Sequence, residues 1–240
     1  MRLSMALLLS TLAFVAASPT LPPRACSTLY PKFYSLVSSH PNETFTYNQS
    51  AALVASGVGG SEDLPPIRQF PHLEIYSQPS AASDPHVILQ YIDFKVPAGS
   101  YGCQLSISDA NNQLYFTNNS NTDASDPVLN VSALFPGAIC DDPTYNSVMN
   151  ANPSVIETPG WGIFTLSPGG STIINSAACP QGEDVHAQFV VEFAYPGEGY
   201  NDWILPQLTA RDADLQISEG FYMTFTADRW EMGMRCEFCF

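Results

Sequence analysis

The stretch Ala178–Tyr195, ACPQGEDVHAQFVVEFAY, constrains the fold more than any other. A cysteine and a Pro-Gln-Gly turn lead into the longest clean two-residue alternation in the chain. Val185, Ala187, Phe189, Val191, Phe193 and Tyr195 fall on one face; His186, Gln188, Val190, Glu192 and Ala194 fall on the other. Successive side chains of a strand point to opposite faces, so the pattern predicts a half-buried strand of an antiparallel sheet. His186 and Glu192 are then surface residues. Six residues apart, they are roughly 20 Å distant along a strand, too far for a direct acid/base pair.

The flanking segments predict partners for that strand. Val87–Val96, VILQYIDFKV, is β-branched and aromatic, with Ile88, Ile92, Phe94 and Val96 on one face. Tyr101–Ser108 and Gln113–Thr117, joined by Asp-Ala-Asn-Asn, read as a hairpin. Val128–Phe135 alternates with Leu129, Val131, Ala133 and Phe135 inward, and Asn130 and Ser132 outward. Trp161–Leu166 and Ser171–Asn175 flank a Ser-Pro-Gly-Gly turn, and Trp203–Gln207, Leu215–Ser218 and Phe221–Ala227 follow. Roughly ten short strands separated by turn signals predict an all-β fold, an antiparallel sandwich of jelly-roll type. With 20 prolines and 15 glycines, 45% hydrophobic and only 13% charged residues, the chain has the composition of a many-turned, core-forming β protein.

The N-terminal part reads differently. Met1-Arg2, the apolar run Met5–Val15 and Val15-Ala16-Ala17 predict a signal peptide, residues 1–17, cut before Ser18. Residues 18–84 read as an arm: a Pro-rich lead, a short helix over Ser27–Val37 from the spacing of Leu29, Phe33 and Leu36, then an irregular stretch. Residues 85–240 are the sandwich. No stretch reaches a spanning length, so the expectation is a secreted protein without a membrane span.

Secretion governs the cysteines and asparagines. Cys26, Cys103, Cys140, Cys179, Cys236 and Cys239 become disulfide candidates, three bridges with 15 possible pairings. The sequons at Asn42, Asn48, Asn118 and Asn130 become glycosylation candidates. The formal charge of -15, or -16 once Arg2 leaves with the signal peptide, opposes binding to nucleic acid and anionic lipid.

The order of signals from Val87 to Phe225 resembles the fungal ubiquitin-three-binding-protein But-two C-terminal domain family. The resemblance lies in Ile92-Asp-Phe-Lys-Val-Pro97, Cys103-Gln-Leu-Ser, Val128-Leu-Asn-Val, Trp161-Gly-Ile-Phe, Cys179-Pro-Gln-Gly and Gly220-Phe-Tyr-Met-Thr-Phe. It implies a fungal source and a β-rich domain without an established catalytic site. The family name implies binding to a ubiquitin-like activating enzyme, an intracellular partner that a secreted chain does not meet.

Catalytic signatures are few. The chain has no Gly-x-Ser-x-Gly elbow and no His-Glu-x-x-His zinc helix. Ser18 as first mature residue argues against copper oxygenases that begin with histidine. Cys236-x-x-Cys239 has only Phe240 after it, so no helix follows to activate a thiol, and the pair reads as structural half-cystines. No metal or other cofactor is expected; the loop acids Asp123, Asp126, Asp141 and Asp142 read as solvated rather than as a calcium loop. A glycosidase would need two carboxylates about 5–10 Å apart. Glu157, Glu192, Glu198, Glu219, Glu231, Asp141, Asp142, Asp202 and Asp228 supply the candidates. Trp203 and Tyr200, in Gly-Tyr-Asn-Asp-Trp, are the residues expected to contact a glycan if they lie on a loop. The leading expectation is a secreted, non-enzymatic protein of the cell wall or one binding an extracellular glycan or protein, with a carboxylate-pair hydrolase as the alternative.

Overall fold

β-Branched and aromatic runs broken by Pro and Gly form strands because such side chains pack well on a pleated surface. The computed structural model describes residues 25–46, 72–78, 86–118, 126–182, 185–195, 201–207 and 219–227. Its strands are β1 (Ala25–Leu29), β2 (Lys32–Val37), β3 (His72–Gln78), β4 (His86–Val96), β5 (Tyr101–Asp109) and β6 (Tyr115–Asn118). They continue with β7 (Val128–Leu134), β8 (Ile156–Thr165), β9 (Ser171–Ala177), β10 (Val185–Phe193), β11 (Asn201–Pro206) and β12 (Glu219–Ala227). One short helix, α1 (Tyr145–Met149), lies among the described residues.

The strands form two antiparallel sheets. The smaller has the order β1-β12-β5-β9; the larger runs β6-β11-β3-β4-β10-β7-β8, with β2 also paired to β4. The fold is an all-β sandwich, and β10 sits inside the larger sheet between β4 and β7. Ala187, Phe189, Val191 and Phe193 enter the main core, as the alternation predicts. They meet Ile92 and Phe94 of β4, Trp203 and Leu205 of β11, and Leu105, Phe221 and Phe225 from the smaller sheet. Cys103 of β5 and Cys179, in the connection from β9 to β10, form a disulfide whose Cα atoms are 4.9 Å apart.

Several expectations are corrected. The segment Ser27–Val37 is not a helix: Pro31 interrupts two strands, β1 pairing with β12 and β2 with β4. The spacing of Phe33 and Leu36 that resembles a helical stripe instead places Phe33 in the main core and Leu36 on the opposite face. β1, β2 and β3 are therefore members of the sheets rather than an arm beside them. The expected hairpin is a corner instead. β5 belongs to the smaller sheet and β6 to the larger, and β8 and β9 are divided in the same way. Phe135, expected inward, lies beyond the end of β7 and is exposed, as is Tyr195 beyond β10. The Leu215–Ser218 strand lies outside the described residues.

The larger sheet is covered on both faces. A second apolar cluster, Leu36, Leu89, Tyr91, Leu134, Val148 and Val190, lies on the face away from the main core. Its cover is the connection from Pro136 to Val155, including α1, from which Ile139, Tyr145, Met149 and Val155 pack down. The Thr144 hydroxyl accepts from the Ser147 amide at 3.1 Å, and Ser147 Oγ accepts from the Thr144 amide at 2.8 Å. This reciprocal capping starts so short a helix. Asn146 ties it to the turn after β2, its amide donating to Pro41 O and its side chain to Asn42 Oδ1, both at 2.8 Å.

Candidate functional site

Where the covering connection stands off the sheet, an open cleft of about 820 Å³ remains. Its floor is read directly from strand register. Asp93 of β4 lies across from Lys32 of β2 on one side and Gln188 of β10 on the other. Tyr34 of β2 lies across from Tyr91 of β4, their rings 6.1 Å apart and tilted by 57°. All of these belong to the sheet face opposite the main core. The far wall is the loop from Gly137 to Pro143, with Cys140, Asp141 and Asp142 lining the cleft.

His186 sets the electrostatics. Its Nδ1 lies 2.8 and 2.9 Å from the two Asp93 carboxylate oxygens, which leaves Nε2 as the uncommitted ring nitrogen of the pair. The side chains are 31% and 13% exposed, so the pair is partly withdrawn from water. Burial pushes the Asp93 carboxyl above its ordinary value, and the His186 bond and Lys32 charge act against that rise. The Tyr34 hydroxyl donates to Asp142 Oδ1 at 3.4 Å, spanning from floor to wall. Its pKa is raised, by burial first and then by the neighbouring Asp142 charge. Tyr91 is pushed far above the usual phenol range, again mainly by burial.

Gln188 holds the wall by both backbone groups of one residue. Gln188 Nε2 donates to Ile139 O at 2.7 Å, and the Ile139 amide donates to Gln188 Oε1 at 3.1 Å. The primary amide thus acts as a one-residue strand partner for the loop. Cys140 carries a free, exposed thiol, which donates to Gly137 O at 3.4 Å. It was a disulfide candidate; here it lies on the cleft wall, away from the Cys103–Cys179 bridge. Cys236 and Cys239 lie outside the described residues, as does the side chain of Cys26.

The glycan-contact expectation divides. Tyr200 is outside the described residues. Trp203 is not on a loop: it is in β11, fully buried in the main core, and offers no ring face to a sugar. Of the expected glycosylation sites, Asn42 is exposed. Asn130 points away from the core as predicted, but onto the covered face, where its Nδ2 donates to Glu192 Oε1 at 2.9 Å. Asn48 and the side chain of Asn118 lie outside the described residues.

The candidate acids scatter. Asp141 and Asp142 join Asp93 in the cleft, whereas Asp202 and Glu219 are buried and Glu157 is exposed elsewhere. Glu198, Asp228 and Glu231 are outside the described residues. Among the described residues, no group of three or more His, Cys, Asp or Glu side chains could hold a metal ion, and no helix is long and apolar enough to cross a membrane.

The cleft is not legible in the sequence, because the second face of β10 reads as solvent-facing. The available signal was Leu89 and Tyr91 in β4 and Val190 in β10, apolar residues on the face meant to be polar. An arrangement of carboxylates, an ammonium, an imidazole and a phenol can donate and accept hydrogen bonds in many directions, while the Tyr34 ring supplies apolar surface. In comparisons with known proteins, no family model, no curated protein and no solved structure matches this chain.

Proposed function

We propose that this chain is a secreted, non-enzymatic extracellular protein that binds a glycan in the cleft between β2, β4, β10 and the 137–143 loop. The observation that carries the reading is the convergence of Tyr34, Asp93, Asp142, Lys32 and His186 on one open cavity. Polyhydroxylated ligands are held by planar and charged side chains that bond their hydroxyls, with an aromatic ring against their C–H faces. A leader of signal-peptide form, the Cys103–Cys179 disulfide and the strong negative charge support an extracellular setting. The sequence resemblance to the fungal But-two C-terminal domains, which implies a β-rich domain without an established catalytic site, agrees with a non-enzymatic role.

The test is depletion of the secreted, glycosylated protein from solution by insoluble chitin, β-glucan and cellulose. Saturable depletion by one polymer, weakened about tenfold or more by Tyr34→Ala or Asp142→Asn, is the expected result; tenfold is a modest loss for a site group. Equal retention of wild type and both variants, or no depletion by any polymer, sinks the reading.

A second reading, a carboxylate-pair hydrolase, is favoured by one observation: Asp93, Asp141 and Asp142 line the same cleft, and burial raises the Asp93 carboxyl toward the range of a general acid. Release of new reducing ends from a polymer, abolished in Asp93→Asn, would establish it in place of simple binding.

A further inference from the structure

At the far end of the smaller sheet, Asp109 of β5 and Glu219 of β12 stand directly across from one another. Their side chains are essentially without solvent contact, 0% and 1% exposed. Two carboxyl groups in such a place repel each other if both are charged, because burial removes the water that would screen them.

Asp109 is used entirely as an acceptor. Its Oδ1 takes the amides of Gln113 at 2.6 Å and Leu114 at 3.0 Å, and its Oδ2 takes the amide of Gly169 at 2.8 Å. Its own amide donates to Gly170 O at 2.8 Å. These bonds fasten together the corner from β5 to β6 and the corner from β8 to β9, two of the places where the chain passes between sheets. Glu219 joins the same assembly: its Oε2 accepts from the amide and from Nδ2 of Asn111, both at 3.1 Å. Its Oε1 is buried and meets no donor. The Asp109 carboxyl is also a hydrogen-bonding neighbour of Glu219. Two acceptors in contact need a proton between them.

We propose that Asp109 and Glu219 form a proton-dependent latch: a proton shared by the pair in acid holds both corners to β12, and its loss in alkali loosens them. Among the described residues, Asp109 is the one titratable group whose charge acts on Glu219; Asn111 contacts it as a neutral donor. Gln207, beside Gly220, is neutral as well. Burial, followed by the effects of Asp109, pushes the Glu219 carboxyl up to about 7 from an ordinary value of 4.5. The folded chain therefore binds a proton more tightly than the unfolded chain. The latch's contribution is complete below the ordinary glutamate range and is lost as pH rises through about 7. A protein built this way keeps its tightest form in an acidic medium, whatever its ligand.

The experiment uses the full chain and the variant Glu219→Gln, whose amide donates to Asp109 at every pH. Thermal unfolding is followed from about pH 4 to about pH 9, together with amide hydrogen exchange at Gln113, Leu114 and Gly169 corrected for intrinsic base catalysis. Wild type should lose melting temperature between about pH 5 and about pH 8, and exchange at those amides should quicken about tenfold; the variant should show neither change. Parallel curves for wild type and variant overturn the latch. Carbon-detected titration of the wild-type Glu219 carboxyl needs no variant and decides by itself: a midpoint near 7 supports the latch, and one in the ordinary glutamate range overturns it.

Discussion

Gln188 grips Ile139 through both backbone groups, at 2.7 and 3.1 Å, and so lends the sheet an extra strand contact where no strand exists. The wall of the cleft hangs on that contact. Gln188→Ala removes both bonds, at about 1 kcal/mol each. A drop in melting temperature of about 5 °C is expected for a chain of this size. Exchange of the Ile139 amide should rise far more than exchange of the Val191 amide, deep in β10. A uniform change at both sites would show that Gln188 stabilises the domain without positioning the loop.

The pair His186–Asp93 is a coupled unit. His186→Ala leaves the partly buried Asp93 without its best partner, and Asp93→Asn removes the charge the imidazole faces. Each single change should destabilise by about 1–2 kcal/mol, and the double change by less than their sum. Denaturant unfolding of the four proteins in a double-mutant cycle measures the coupling; strict additivity would mean that the 2.8 Å contact contributes nothing.

Cys140 and the bridge should separate chemically. In the native protein, iodoacetamide should label Cys140, whose thiol is exposed, while Cys103 and Cys179 stay unlabelled until reduced. Peptide mass mapping reads the result. Replacing both bridge cysteines by alanine opens a span of 76 residues and should cost about 4 kcal/mol on a chain-entropy estimate. Cys140→Ser should leave stability within about 0.5 kcal/mol, as for other exposed substitutions.

Trp203 belongs to the core, and its variants should behave so. Trp203→Ala should cost about 3–5 kcal/mol, while Trp203→Phe, which keeps most of the volume, should be milder and retain polymer binding. Intrinsic fluorescence and chemical unfolding check stability, and the depletion assay checks binding. Selective loss of binding in a stably folded Trp203→Phe protein would contradict the burial of this ring.

At the opposite end of the molecule from the disulfide, Gln207 shows how closely the sheets are laced. Its side-chain amide bonds both the amide and the carbonyl of Phe221, at 2.7 and 3.0 Å. Gly220 beside it has φ +78°, and a Cβ there would collide with Gln207 Oε1 and lie 2.9 Å from Pro206 O. Gly220→Ala should therefore destabilise by more than a routine surface change, through both the left-handed backbone and the clash.

The amino-acid sequence by itself determined the all-β class, the approximate positions of most described strands from Val87 onward and the inward face of β10. Those follow from a two-residue period, which any half-buried strand must show because its side chains alternate. It could not decide which strands share a sheet. A turn such as Asp109–Asn112 looks the same whether it closes a hairpin or carries the chain around a corner; the difference lies in where distant β11 and β12 dock. Nor could it decide that the second face of β4 and β10 is covered, since Pro136–Val155 has no period of its own and becomes a layer only by packing on Tyr91, Leu89 and Val190. The cleft follows from that covering. Lys32, Asp93, Asp142 and His186 are spread along the chain, and only cross-strand register and the Gln188–Ile139 contact bring them to one place.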